Sequence, residues 1–177
     1  MLARFAVFVL ATCASGAAVA ATPPPVQVVE LVRAAAGWSA PVPAGLTAEL
    51  QEPRHTSADP ALPQRWLSQV TWRLAGAEVL RFEVFANPQH LRPEQWVELA
   101  WRSVVGTAVL RPLLANAAKQ PALSTDLPRS PQRHAQRLVF MQMGSHLGHL
   151  VCHTGADPAV AAWCEAVLHG IAPAMAR

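Results

Sequence analysis

The chain has 177 residues, 52% of them hydrophobic, and 14 Lys and Arg against 11 Asp and Glu give a formal net charge of +3. That length is enough for one domain with a proper core. The charge is too weak a field to make nucleic acid a partner, and the sequence holds no G-x-G-x-x-G or G-x-x-x-x-G-K-S/T phosphate loop.

Residues Met1–Ala21 read as a cleavable secretory signal. One basic residue, Arg4, precedes the apolar stretch Phe5–Thr12, and small residues end in Ala18-Val19-Ala20. That order of charge, apolar run and A-x-A site is the export pattern, and the run is too short to span a bilayer. Cleavage near Ala20 or Ala21 predicts a periplasmic or secreted product and removes Cys13. The alternative is a lipoprotein anchored at Cys13 through Leu10-Ala11-Thr12-Cys13, although Thr12 is a poor residue to precede a lipidated cysteine. No second apolar segment of spanning length follows, so the mature chain is expected to carry no transmembrane segment.

Residues 22–25, Thr-Pro-Pro-Pro, predict a stiff spacer, and residues 26–177 a single exported α+β domain. Val26–Ala36 places Val29, Val32 and Ala36 at helical spacing before Gly37, which favours helix over strand. Trp38–Pro43 reads as a Pro-punctuated turn region. Leu46–Gln51 alternates as a strand, and Glu52–Pro63 as a polar loop. Arg65–Leu74 and Ala77–Ala86 alternate apolar and polar around Ala75-Gly76, the pattern of an antiparallel hairpin with one wet face. Pro93 and Glu94 open a helix. Its stripe is Trp96, Val97, Ala100, Trp101, Val104 and Ala108, and it stops near Pro112. Leu113–Lys119 predicts a further helical turn, and Gln120–His134, with three prolines, a loop. Arg137–Met143 and His146–His153 form a second hairpin around Gly144-Ser145. Asp157-Pro158 starts a last helix, with Val160, Trp163, Cys164, Val167, Leu168 and Ile171 on its stripe.

The fold class expected from this order is α+β: a mainly antiparallel sheet of about five strands in two hairpins, packed against two or three helices. In element order this resembles the small αβα proteins of the Mog1/PsbP-like type. No diagnostic motif accompanies the resemblance, so no residue role or activity follows from it.

With Cys13 removed, Cys152 and Cys164 remain as a pair. An exported domain meets oxidants, and both sulfurs face the layer between the last strand and the last helix, so a disulfide is predicted. Closing so short a loop stabilises by about 3 kcal/mol in the chain-entropy model. The spacing is not the C-x-x-C of a redox site.

Histidines gather at the C-terminal hairpin as His146, His149 and His153. On a strand His149 and His153 share a face but lie about 13 Å apart, so a metal site there needs a third ligand such as His134 or His90. For nucleophilic chemistry, Ser145 has His146 beside it and Asp126 or Asp157 elsewhere. Gly144-Ser145-His146 lacks the second glycine of the G-x-S-x-G elbow. Glu94 and Glu98 read as a solvated helix face. Arg129, Arg133, His134 and Arg137 make a basic, Pro-bearing loop suited to an anionic lipid, envelope polymer or acidic partner. Among the tryptophans, Trp96 is the one placed to line a groove between helix and sheet. The function expected is therefore a small exported, non-catalytic accessory or binding protein without a cofactor, whose partner is a protein or envelope ligand. The alternative is a periplasmic transition-metal-binding protein using His149 and His153, and a third reading is a hydrolase around Ser145 and His146.

Overall fold

The computed structural model describes residues 26–53, 66–116, 118–131, 133–155 and 157–173. The signal peptide, Cys13, the 22–25 spacer, Arg65 and most of the loop expected over Glu52–Pro63 lie outside these residues. Ten strands are described: β1 Val28–Ala34, β2 Trp38–Pro43, β3 Thr47–Gln51, β4 Trp66–Leu74, β5 Ala77–Ala86, β6 Arg111–Ala115, β7 Gln120–Leu127, β8 Gln136–Met143, β9 His146–Cys152 and β10 Ala172–Pro173. One helical rod begins as α1 Pro93–Trp96, passes through a π turn at Val97–Trp101 and ends as α2 Arg102–Val105. The other helix is α3 Val160–Gly170.

The architecture corrects the expected one. A seven-stranded antiparallel sheet runs in the order β3-β4-β5-β9-β8-β7-β6, and a three-stranded sheet in the order β1-β2-β10. The protein is mostly β, not a five-stranded sheet on two or three helices, and the element order behind the Mog1/PsbP-like resemblance does not hold.

Both predicted hairpins are present, β4–β5 and β8–β9, turning at Ala75-Gly76 and Gly144-Ser145. Ala75 and Gly76 both have positive φ, as a two-residue hairpin turn matched to strand twist requires. The added strands are the segments whose local signals were overridden. Val28–Ala34 pairs along its length with β2, so its β-branched residues serve a strand. Pro41 and Pro43 sit in β2 because β10 pairs only with Ser39 and Trp38, which leaves that side of the strand free where the prolines fall. In β7, Pro121 lies before the first residue paired with β8, Ala122, and Pro112 lies in the edge strand β6.

Strand alternation divides the core into two layers. Toward the small sheet and α3, the large sheet presents Val70, Trp72, Leu80, Phe82, Val84, Val139, Met141, Leu150 and Cys152. Toward the helical rod it presents Leu123, Leu127, Leu138, Phe140, Leu147 and Val151, which pack on Trp96, Val97 and Val105. The π turn inserts a residue into the rod's periodicity. Val105 is consequently buried, while Val104, assigned to the stripe by regular spacing, is 43% exposed.

Two indoles tie the sheets together in opposite directions. Trp38 Nε1 on β2 donates to Ser68 Oγ on β4 at 2.9 Å, and Trp72 Nε1 on β4 donates to the Pro41 carbonyl on β2 at 3.0 Å. Trp38 also meets Phe82 edge-on, with centroids 5.1 Å apart. Gly148 gives Phe82 its room, since a Cβ there would lie 2.8 Å from Phe82 Cε2 and 2.8 Å from Met143 Sδ. Gly148→Ala is expected to destabilise the fold by about 1–3 kcal/mol through overpacking, measured by denaturant unfolding. An unchanged unfolding midpoint would contradict this packing of the β5–β9 pair.

Candidate functional site

The sequence-derived candidates fall into four separate places. Cys152 ends β9, Cys164 lies on α3, and their sulfurs are at disulfide distance, 2.01 Å, with Cα atoms 6.0 Å apart. Both are buried in the layer under α3. Asp157 Oδ1 accepts from the Ala159 N–H at 2.7 Å just before that helix, the bond of an Asx turn. Asp126 is taken up by Arg111 at 3.3 Å, and Glu98 by Arg102 one turn along the rod.

His149 on β9 and His153 just beyond the end of that strand turn to different carboxylates. His149 Nδ1 is 3.0 Å from Glu83 Oε2, and His153 Nε2 is 3.2 Å from Glu78 Oε1. Among the described residues, no group of three or more His, Cys, Asp or Glu side chains is placed to hold a metal ion. His149 is 2% exposed and lies in an aromatic enclosure. It stacks on Phe140 at 4.8 Å, and Trp101, delivered by the π turn, tilts against it at 4.0 Å. Trp96, placed by its sequence on a possible groove wall, is fully buried in the same layer, edge-on to Phe85, Trp101 and Phe140.

Burial pushes the His149 imidazole below its ordinary value of 6.5, against the hydrogen bond and charge of Glu83, which pull it upward. Burial also raises Glu83, but the hydrogen bond from His149, the charge that ring carries once protonated, and the charge of Arg81 outweigh it. Its carboxyl is therefore held below its ordinary 4.5. At neutral pH the pair is thus an uncharged imidazole donating Nδ1–H to a carboxylate. The ring's other nitrogen, Nε2, is buried without a partner among the described residues.

This pair makes stability depend on pH with a defined sign. Below 6.5 the unfolded chain protonates this histidine while the folded chain resists, so stability falls as pH drops. Glu83 adds to the loss below 4.5, because its folded carboxyl gives up its charge less readily than the unfolded one. His149→Gln keeps a donor for Glu83 and cannot titrate. Between about pH 6.5 and pH 5 it should lose a slope of up to about 1.4 kcal/mol per pH unit relative to the parent, measured by urea unfolding. Parallel pH profiles for the two proteins would contradict the assignment.

The basic loop is split by the fold. Arg129 and Arg133 stand with Ser130, Pro131 and His134 around a concavity of about 170 Å³. Arg137 is not part of it, since strand β8 turns its guanidinium to Glu165 on α3.

The larger opening is one the sequence did not reveal. A cleft of about 250 Å³ lies where three hairpin turns and β10 converge. Met143, Ala172 and Pro173 supply apolar wall over the buried Trp38 and Ile171, while Gln120, Ser145 and His146 supply polar groups, with Asn116 largely buried behind them. Asn116 has φ 56°, a conformation Asn tolerates better than most residues, and it organises the β6–β7 turn. Its Nδ2 donates to Gln120 Oε1 at 2.8 Å, its Oδ1 accepts from the Ala118 N–H at 2.9 Å, and its own N–H donates to the Leu168 carbonyl of α3 at 3.1 Å. Ser145 and His146 face the cleft from the β8–β9 turn, so two of the proposed hydrolase residues do meet at an opening. Among the described residues, however, no carboxylate lines it to orient the imidazole. The signal that could have found this site is the turn chemistry of Asn116 and of Gly144-Ser145. Nothing in the sequence indicates that the two turns meet.

Comparison with protein-family models finds no match, and a search of curated proteins finds none either.

Proposed function

We propose that the protein is a small exported, non-catalytic binding module that takes a neutral small molecule in the cleft between its two sheets. The observation that carries this reading is the character of the cleft. It is concave, apolar on one side and hydrogen-bonding on the other, and His146 is the only titratable side chain among its described lining residues. Such a mixture of a few converging polar groups on an apolar wall is the usual form of a ligand site. Its volume suits a molecule about the size of a monosaccharide or an amino acid rather than a polymer segment. Hydrolysis is less well supported, because Ser145 has no base held in place by a third group. Export is supported by the sequence of residues 1–21, and the close approach of Cys152 and Cys164 fits a domain that matures among oxidants.

The cleft reading is tested by titrating a panel of neutral monosaccharides and amino acids while following the side-chain amide signals of Asn116 and Gln120 by NMR. A binder should shift both saturably, and Ser145→Trp, at an exposed turn position on the rim, should abolish the shifts without unfolding the domain. Saturable shifts confined to another part of the molecule would contradict this reading.

The cysteine pair gives a second test. Replacing both cysteines by serine should lower stability by about 3 kcal/mol, read by thermal or denaturant unfolding. Two alkylatable thiols in protein purified under oxidising conditions would count against the export reading.

A further inference from the structure

We propose that Arg129, Ser130, Arg133 and His134, gathered around one concavity, form a second binding site, separate from the cleft, that takes a phosphate group. Most arginines of the described domain have a carboxylate partner: Arg73 with Glu49, Arg81 with Glu78 and Glu83, Arg102 with Glu98, Arg111 with Asp126, and Arg137 with Glu165. Among the described residues Arg33, Arg92, Arg129 and Arg133 have none, and of these four the fold brings Arg129 and Arg133 to one concavity together with His134 and Ser130.

The concavity is built by the backbone. Ser130 and Arg133 exchange hydrogen bonds, N–H to carbonyl at 2.8 Å and 3.2 Å, and these close the loop into a tight turn with Pro131 at its tip. The turn brings two arginines to one concavity whose described lining holds no acid. One of them is also left unsatisfied, because Arg133 Nε is buried without an acceptor among the described residues. A buried charged donor without a partner is expensive, whereas a planar guanidinium matches the oxygens of a phosphate in fork geometry. A tetrahedral oxyanion in the concavity would neutralise both arginines, accepting from Arg129 and from the outer guanidinium nitrogens of Arg133, with a further oxygen toward Ser130. A carboxylate would meet fewer of these donors, having two oxygens.

The phosphate can be free in solution or the headgroup of a phospholipid, and the experiment separates these sources. Inorganic phosphate is titrated into the full chain while the arginine Nε–H signals are followed by NMR. In parallel, co-sedimentation compares vesicles of phosphatidylglycerol with vesicles of phosphatidylcholine. Saturable shifts at Arg129 and Arg133 are expected, weakened about tenfold or more by Arg133→Gln and by Arg129→Gln. Arg33→Gln, at an exposed arginine on β1, should leave them unchanged. Arg129 is exposed, so its variant keeps the test valid if Arg133→Gln unfolds the loop. Phosphatidylglycerol binding with the same dependence on both arginines assigns a headgroup, and its failure beside phosphate binding assigns the free ion. Absence of saturation up to about 10 mM phosphate, about 5.5 kcal/mol weaker than a micromolar site, would overturn the proposal. Equal weakening by Arg33→Gln would overturn it too, since it would indicate only a diffuse response to charge.

Discussion

The structure depends on how β2 is held. This strand is buried along its whole length, between β1 and β10 at its sides and the large sheet and α3 on its faces. Burying backbone so completely requires partners for its polar groups. The reciprocal indole bonds supply part of that requirement while placing two large rings in the core. Trp38 reaches from β2 to Ser68, and Trp72 reaches from β4 to the Pro41 carbonyl. Each indole therefore fills volume and satisfies a polar atom across the seam, which a Phe in its place could not do. Without this seam the small sheet would have no fixed position on the large one. The cleft would then lose the Trp38 and Ile171 side of its wall.

The two halves of the large sheet are used differently. Next to β9, the face under the helical rod is occupied by aromatic rings, and the π turn tilts Trp101 onto His149. On the adjoining strands β5 and β4, the same face carries Thr71, Arg73, Arg81 and Glu83. His149 sits at the boundary, with one ring nitrogen paired to the polar half and the ring stacked in the apolar half. This position explains a buried titratable group without requiring it to be a metal ligand. It also accounts for the pull of burial on the imidazole.

The parts of the fold legible in the sequence were those dictated by neighbours a few residues away. Ala75-Gly76 and Gly144-Ser145 mark turns by their own backbone preferences, and the strands beside them alternate cleanly. Pro93 marks the start of the helical rod for the same reason, whereas α3 begins at Val160, three residues after the Asp157 expected to cap it. What escaped was decided by distant contacts. Val28–Ala34 has spacing compatible with a helix, and only its pairing with Trp38–Pro43 makes it a strand. Prolines at 41, 43 and 121 suggested turns or loops and Pro112 a helix end, because their tolerance depends on which strand edge is unpaired, a fact of topology. Arg137 was grouped with Arg129 and Arg133 by sequence distance, yet strand alternation sends it to α3. The cleft was the least legible feature, since its walls come from turns separated by most of the chain.

The central claim is that β2 belongs to the core rather than to a loosely attached flap. Native-state hydrogen exchange tests this directly, because amides in the core open only with global unfolding. The account predicts that the N–H groups of Ala40 and Val42 exchange as slowly as those of Phe82 and Leu150. Exchange of the β2 amides at loop-like rates, while β5 and β9 stay protected, would contradict it.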